Sequence, residues 1–321
     1  MKILLTGASG FIGTNAVDLY TAGGDTVVNV DSKPPVNAAQ HALWKKADLR
    51  DPIALSAAFA DFQPEAVIHL AARTDCDEET TVEAGYRDNT DGTRNLLAAI
   101  HATSSVRRVI ITSSQFVCGP GYTPKHDEDF HPVTVYGRSK VIAEQLTRAA
   151  ALPCVWTIVR PTNIWGPWHP RYPQEFWRVV ARGWYVHPGG APVVRCYGYV
   201  GNVVRQMRQL LEQPAEYVSG QVFYLGDPPG DIARWANAFS VALRGKRIRK
   251  VPRFILAAAG MIGDAITRLA GKQFYITTSR YRSMTSDYAV NMDRTFRLLG
   301  PPPISLEQGV DETVAWFRQS R

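Results

Sequence analysis

The stretch Lys2-Ile3-Leu4-Leu5-Thr6 runs directly into Gly7-Ala8-Ser9-Gly10-Phe11-Ile12-Gly13, and the apolar positions Phe11, Ile12, Ala16, Val17, Leu19 and Tyr20 then recur at helical spacing. A short apolar strand, a glycine turn and a helix in that order admit few folds. Gly7 permits a tight turn, Gly10 lets backbone approach a pyrophosphate, and Gly13 lets helix and strand pack closely. The helix N-terminus adds free N–H groups and a positive dipole end suited to phosphates. A glycine turn that holds no ligand is the alternative, and the strand–turn–helix context weighs against it.

A second strand, Thr26 to Val30, ends at Asp31, eighteen residues after Gly13. A carboxylate there accepts both ribose hydroxyls of an adenosine and repels a 2′-phosphate, so NAD is expected over NADP. Lys33 works the other way, because it would partly neutralise that phosphate. Ala47-Asp48-Leu49 follows a third strand, which places Asp48 near an adenine amino group. Strand patterns near 2–6, 26–30, 66–69, 107–112 and 154–159 alternate with helical ones. That alternation predicts an α/β fold, a Rossmann-type doubly wound parallel sheet. The texture changes after Gly166-Pro167 to an aromatic, basic, proline-rich loop and an amphipathic helix with Phe176, Trp177, Val179 and Val180. Residues 1–166 are therefore expected to form the dinucleotide domain, with segments at about 197–227 returning to it. Residues 167–321 are expected to be mainly a smaller C-terminal substrate lobe and a C-terminal helix.

Val135-Tyr136-Gly137-Arg138-Ser139-Lys140 places a phenol and an ammonium four residues apart on a predicted helix. Such side chains share one helical face. A lysine beside a tyrosine favours the phenolate, which makes an acid/base for a hydroxyl substrate. Alone, the pair is more often a solvated helix face, and only the glycine turn elsewhere in the chain reverses those odds.

Cys76, Cys118, Cys154 and Cys196 are scattered without a CxxC pair, which argues against a metal site or disulfide framework and suits a reducing cytoplasm. The N-terminus reads as a strand and not as a signal peptide. A net charge of +7 suits the handling of anions. Its spread along the chain disfavours nucleic acid as a partner.

Taken in order, these residues resemble the extended short-chain dehydrogenase/reductase family, the NAD-dependent epimerase/dehydratase group that works on nucleotide sugars. Further matching pieces are His69-Leu70-Ala71-Ala72, Asn89 to Leu97, Thr112-Ser113-Ser114 and Arg160-Pro161-Thr162-Asn163-Ile164-Trp165-Gly166-Pro167. Leu299-Gly300, Ser305 to Gly309 and Trp316-Phe317 look like the family's closing segment. The resemblance implies a homodimer with NAD as cofactor. It implies NAD contacts from Gly7, Gly10, Phe11, Ile12, Gly13, Asp31, Asp48 and Leu49. Leu70, Ala71, Ala72, Asn89, Tyr136, Lys140 and Pro161 complete that set.

By the same resemblance, Tyr136 is the acid/base, Lys140 holds the nicotinamide ribose and lowers the tyrosine pKa, and Ser114 bonds the reacting oxygen. Asn89 would orient water or backbone near Lys140. Substrate contacts would come from Arg73, Thr74, Ser114, Gln115 and Asn163, with Arg195 on a diphosphate and Arg171 or Arg178 as a second contact to it. Family dehydratases carry Asp-Glu after the hydroxyl residue, and decarboxylases a glutamate beside it. Here Gln115 and Phe116 stand there, and neither moves a proton. That leaves 4-epimerisation or one-way 4-ketoreduction of a nucleotide sugar. Cys118 and Asn202 depart from the family pattern, where a tyrosine and an aspartate are usual.

The run Arg244-Gly245-Lys246-Arg247-Ile248-Arg249-Lys250 precedes the apolar stretch Phe254 to Ile262. Similar segments in steroid and lipid-linked relatives make a 3β-hydroxysteroid-type or other lipid-alcohol dehydrogenase the runner-up, and a non-catalytic NAD-binding regulator the third reading. The apolar part falls short of the roughly 20 residues that span a bilayer, so no stable membrane insertion is expected. It is expected to pack inward as a wall of the substrate lobe, with Phe254, Ile255 and Ile262 toward the core and Arg247, Arg249 and Lys250 as a solvated edge.

Overall fold

The computed structural model describes residues 1–270 and 274–320. They form two compact units. The first comprises Met1–Trp168, Gly198–Asp227 and Val290–Pro303, and the second His169–Tyr197, Pro228–Ala289 and Ile304–Arg321.

The first unit is built on alternating strands and helices. These are β1 (Lys2–Thr6), α1 (Phe11–Ala22), β2 (Thr26–Asp31), β3 (Trp44–Lys46), α2 (Pro52–Phe62) and β4 (Ala66–His69). There follow α3 (Arg87–His101), β5 (Arg108–Thr112), α4 (Val135–Ala149), β6 (Val155–Pro161), α5 (Val200–Glu212) and β7 (Val222–Leu225). Among the described residues, seven strands make one sheet in the order β7-β6-β5-β4-β1-β2-β3. All pairings in it are parallel, with Ile3 opposite both Val27 and Ala66. Helices cover both faces of such a sheet, so its strands read as unbroken apolar runs. Ile3, Leu4 and Leu5 in β1 and Ala66, Val67 and Ile68 in β4 are accordingly fully buried. The order reverses between β1 and β4, and ligands of open α/β sheets bind at the carboxyl ends of strands beside such a switch point.

Local chemistry sets the helix starts. The Asp51 carboxylate accepts from the backbone of Ile53 and Ala54, with Pro52 at the first helical position of α2. The Thr134 hydroxyl accepts from Gly137 N at 2.9 Å and starts α4.

Val290–Pro303 also belongs to the first unit, a return that the sequence boundary at residue 166 did not foresee. The physical reason lies in the helix α8 (Asp293–Leu299). Its Thr295 hydroxyl donates to the Tyr224 carbonyl at 2.7 Å, and Arg294 reaches the Val222 carbonyl and the Asp127 carboxylate.

The second unit holds α6 (Ile232–Arg244), α7 (Arg253–Ala270) and α9 (Leu306–Gln319). Its core is aromatic: Phe176 stacks on Trp235 at 4.7 Å, Tyr197 on Trp235 at 4.7 Å, and Trp177 meets Phe317 edge-on. The expectation of an inward apolar face on α7 is corrected here. Leu256 is buried, whereas Phe254, Ile255 and Ile262 are exposed. The helix instead packs through its glycines: a Cβ on Gly263 would stand 1.8 Å from the Ile276 carbonyl oxygen.

One buried ion pair joins α4 to the sheet. Arg160 on β6 donates to the Glu144 carboxylate at 2.8 and 2.9 Å and to the Tyr224 hydroxyl on β7 at 3.2 Å. Both charged side chains are all but inaccessible to solvent. Removing Arg160 leaves the buried Glu144 with only the more distant Arg148, 3.9 Å away, and breaking such a buried pair costs about 3–5 kcal/mol. Arg160→Ala is therefore expected to lower the unfolding free energy by about that amount in urea titrations. A change below about 1 kcal/mol would mean that Glu144 finds water or protonates instead.

Candidate active site

The carboxyl edge of the sheet gathers the glycine turn after β1, Asp31 at the end of β2, Asp48-Leu49 after β3 and Leu70-Ala71-Ala72 after β4. It also gathers Ser113-Ser114 after β5 and Pro161 at the end of β6. The turn is held by close backbone contacts. Gly7 has φ +71°, and a Cβ on it would lie 2.4 Å from Ala71 N and Cα. A Cβ on Gly13 would lie 2.2 Å from Ala8 Cα. Gly10 is different: it is exposed, brings no capping side chain to α1, and its nearest neighbour would be the Gly7 carbonyl oxygen at 3.4 Å. This open backbone before a helix N-terminus fits the pyrophosphate of NAD.

The Asp31 carboxylate accepts from Ser9 N at 3.2 Å and Lys33 N at 2.9 Å, which places it against the glycine turn. Burial raises its pKa, opposed by these hydrogen bonds. Lys33 meets Asp31 through its backbone amide. Asp48 is engaged by Arg50, which binds it through backbone and guanidinium and holds its pKa down. Leu49 is buried against the face of Gly92.

Ser114, Tyr136 and Lys140 are buried together. Ser114 caps the turn Gln115–Val117, its hydroxyl accepting from Phe116 N at 3.2 Å. The Ser114 hydroxyl also acts on the Tyr136 phenol, favouring its charged form against the effect of burial. The Tyr136 ring packs against Tyr86 and Phe116, with centroids 6.2 and 6.0 Å away. Gly137 makes this packing feasible, because a Cβ there would lie 2.3 Å from the Phe116 carbonyl oxygen. Glu78 accepts from Val135 N at 3.1 Å and so holds the segment after β4 against the start of α4.

Lys140 Nζ donates to the Thr112 carbonyl at 2.9 Å. Burial pushes its pKa down to about 8, with Glu144 opposing. Burial dominates and raises the Tyr136 pKa, and the group that opposes burial is the Ser114 hydroxyl. His69 lies beneath, its ring nitrogens 2.7 and 3.1 Å from the Thr6 and Thr93 hydroxyls. Burial, and then the Lys140 charge, push it down to about 3, so it is neutral.

Asn89 acts on backbone. Its Oδ1 accepts from Arg73 N at 2.7 Å, and its Nδ2 donates to the Arg73 carbonyl and to Ser139 Oγ at 2.9 Å. Ser139 neighbours Lys140, so Asn89 pins the segment after β4 to α4. The Arg73 guanidinium is committed to Asp75, Asp77 and the Gly85 carbonyl. Thr74 is exposed, Gln115 is buried, and Asn163 is half-buried on a short strand after β6. Arg171 and Arg195 belong to the second unit, and Arg195 donates there to the carbonyl and hydroxyl of Ser283. Asn202, in place of the usual aspartate, donates to Asp227 at 2.7 Å. Burial raises Asp227 to about 6, and a second carboxylate in contact with it would be repelled, so an amide suits this position.

Sequence reasoning did not single out Tyr86, Glu78 and Ser139. Their signal is contact across distant segments, which no local spacing carries.

Comparison with known proteins agrees with this geometry. The chain belongs to the NAD-dependent epimerase/dehydratase family, whose family model matches residues 3–226. It is 28% identical over 325 residues to the N-acetyl-alpha-D-glucosaminyl-diphospho-ditrans,octacis-undecaprenol 4-epimerase of Escherichia coli O157:H7, covering 98% of this chain and 95% of that one. It is 29% identical over 338 residues to the UDP-glucose 4-epimerase of Vibrio cholerae, covering 99% and 96%. The solved UDP-glucose 4-epimerase of Thermotoga maritima, with UDP-glucose, shares the fold at a TM-score of 0.75 and 23% identity, covering 100% and 99%.

The Lys140 environment has a testable consequence. Its folded pKa of about 8 lies below the unfolded value of about 10.4, so the unfolded chain binds more protons between them. The burial penalty is therefore full below the folded pKa and fades as pH rises to the unfolded one. Lys140→Met without cofactor is expected to melt above wild type at neutral pH, with the gap closing in strong alkali. A less stable variant at neutral pH would show that the Thr112 hydrogen bond outweighs burial.

Proposed function

We propose that this protein is an NAD-dependent 4-epimerase of a sugar carried on a nucleoside diphosphate. The observation that carries this reading is the buried Ser114–Tyr136–Lys140 group at the carboxyl edge of the sheet, followed by Gln115 and Phe116. Elimination of water needs a further acid and base beside the reacting carbons, and neither of these two side chains supplies one.

Gly7, Gly10 and Gly13 with the α1 N-terminus would hold the pyrophosphate, Asp31 the adenosine ribose, Asp48 the adenine and Lys140 the nicotinamide ribose. Leu49, Leu70, Ala71, Ala72 and Pro161 would wall the rings. When bound, NAD supplies a reversible two-electron acceptor and a positive charge near the Tyr136–Lys140 pair. Tyr136 exchanges the proton of the sugar 4-hydroxyl, and Ser114 hydrogen-bonds the same oxygen. The phenol is kept protonated by burial in the free protein, so its positive surroundings in the loaded enzyme decide when it acts as base. Asn163, Thr74 and Gln115 are the proposed substrate contacts of the first unit. We place the enzyme in the cytoplasm as a homodimer. Among the described residues no helix is long and apolar enough to cross a membrane.

A second substrate, a sugar on a polyprenol diphosphate, is favoured by the name of the Escherichia coli relative that matches nearly the whole chain. Both substrates present the same diphosphate and the same 4-hydroxyl.

The direct test follows the sugar by NMR. Purified protein with NAD is expected to interconvert the 4-epimers of a UDP-sugar or dTDP-sugar without net cofactor reduction. Stoichiometric formation of NADH with a 4-keto-sugar would replace the epimerase by a one-way oxidoreductase. Tyr136→Phe should keep NAD binding and fold while turnover falls about 10²–10⁴-fold, because only the proton-transferring oxygen is lost. Near-full activity in that variant would remove Tyr136 from the chemistry.

Cofactor choice gives a separate readout. NAD(H) should bind more tightly than NADP(H), and Asp31→Ala should narrow or reverse that gap as Lys33 meets the extra phosphate. Dissociation constants showing that wild type prefers NADPH would sink the role of Asp31.

A further inference from the structure

The helix α7 is built inside out. Its inner side is Leu256, Gly260 and Gly263, and the glycines let its backbone lie against the backbone near Ile276 and Thr277. Its outer side carries Phe254, Ala258, Met261, Ile262, Ala265 and Leu269, which recur at the three- and four-residue spacing of one helical face. These side chains are in water: Phe254 is 73% exposed, Met261 64%, Ile262 60% and Leu269 89%. A stripe of this kind ordinarily faces a core, and here the core side is taken by glycines.

Charge identifies what the stripe meets. Residues 244–270 carry seven lysines and arginines against the single carboxylate of Asp264, close to the whole net charge of +7. Lys246, Arg247, Arg249, Lys250 and Arg268 are exposed, and the strand Arg249–Val251 leads directly into α7. Asp264 is turned toward Thr278 N and does not offset them. At 1.5 Å per residue, the stripe from Phe254 to Leu269 is about 22 Å long. That is too short to span a bilayer in a helix that also bears Arg268, but ample to lie along a bilayer surface. A second copy of this chain is the poorer occupant, because face-to-face pairing brings like charges together.

We propose that α7 and the basic run before it form a docking surface for an anionic phospholipid bilayer. The apolar stripe enters the acyl boundary and the cations meet lipid phosphates. This goes beyond the proposed catalytic reading and stands whether the sugar is carried on a nucleotide or on a polyprenol. It also reverses the expectation drawn from sequence that the segment faces inward.

The test is co-sedimentation of the full-length protein with vesicles of phosphatidylcholine alone and of phosphatidylcholine mixed with phosphatidylglycerol. Binding is expected only to the anionic vesicles at physiological salt, weakening at high salt. The triple change Phe254→Ser, Ile262→Ser and Leu269→Ser is expected to weaken vesicle binding at least about tenfold, as is replacing Lys246, Arg247, Arg249 and Lys250 by Gln. Both variants should keep NAD binding and the wild-type melting temperature, which separates failure of docking from failure of the catalytic reading. Wild-type protein left in the supernatant with anionic vesicles overturns the proposal. A wild-type dimer by light scattering that becomes monomeric in the triple variant also overturns it, and assigns the face to a second copy.

Discussion

The first unit depends on backbone approaching backbone more closely than any side chain allows. Gly7 lets β1 turn beside Ala71, Gly13 lets α1 lie on the turn at Ala8, and Gly137 lets α4 lie on the Phe116 carbonyl. The first two contacts bring the N-terminus of α1 to the switch point between β1 and β4. The third sets the Tyr136 ring against Phe116, two residues after Ser114. A methyl group at any of the three positions would have to displace backbone, which is why these glycines govern the geometry of the whole edge.

Around that frame the charges are arranged by burial more than by pairing. Tyr136 is held neutral by its apolar surroundings, His69 is held neutral between two threonine hydroxyls, and Lys140 stays charged at neutral pH against the pull of burial. A charged Lys140 thus costs folding energy in the free protein, and under the proposed mechanism that same charge beside Tyr136 serves the chemistry. The Glu144–Arg160 pair, one helical turn beyond Lys140, fastens the same helix to β6 and β7. Tyr136 and Lys140 therefore sit on an element that is anchored at both ends, by Thr134 and Glu78 at its start and by Arg160 further along.

Much of the fold was legible because the strands are doubly covered. Lys2–Thr6, Ala66–His69 and Arg108–Thr112 appear as short apolar runs between helical patterns, and they fall within a residue of where their patterns end. The site was legible where spacing along one element carries it: Tyr136 with Lys140 on a helix, and Asp31 at a strand end. It was not legible where the partner is distant. Nothing near Asn89 announces that its amide bridges Arg73 and Ser139, and nothing near Arg73 announces that Asp75, Asp77 and Gly85 occupy its guanidinium. The burial that raises the Tyr136 pKa was not legible for a related reason. Spacing reports the neighbouring ammonium, while burial, the larger influence, is a property of the assembled site.

The amino-acid order by itself determined the alternation of strands and helices, the glycine turn, the spacing of Tyr136 and Lys140 on one helix and the apolar stripe of α7. These follow from periodicity and from residue-specific backbone freedom, which act within a few residues. Only the tertiary structure decided which side of that stripe is inside. Periodicity locates a face but not its partner, and in α7 Gly260 and Gly263 let the backbone itself make the inward contact. The same limit applies to Val290–Pro303, which joins the first unit through Thr295 and Arg294 to groups some seventy residues or more away in the chain. Such contacts form because burial and hydrogen bonding reward proximity in space, and sequence distance does not enter.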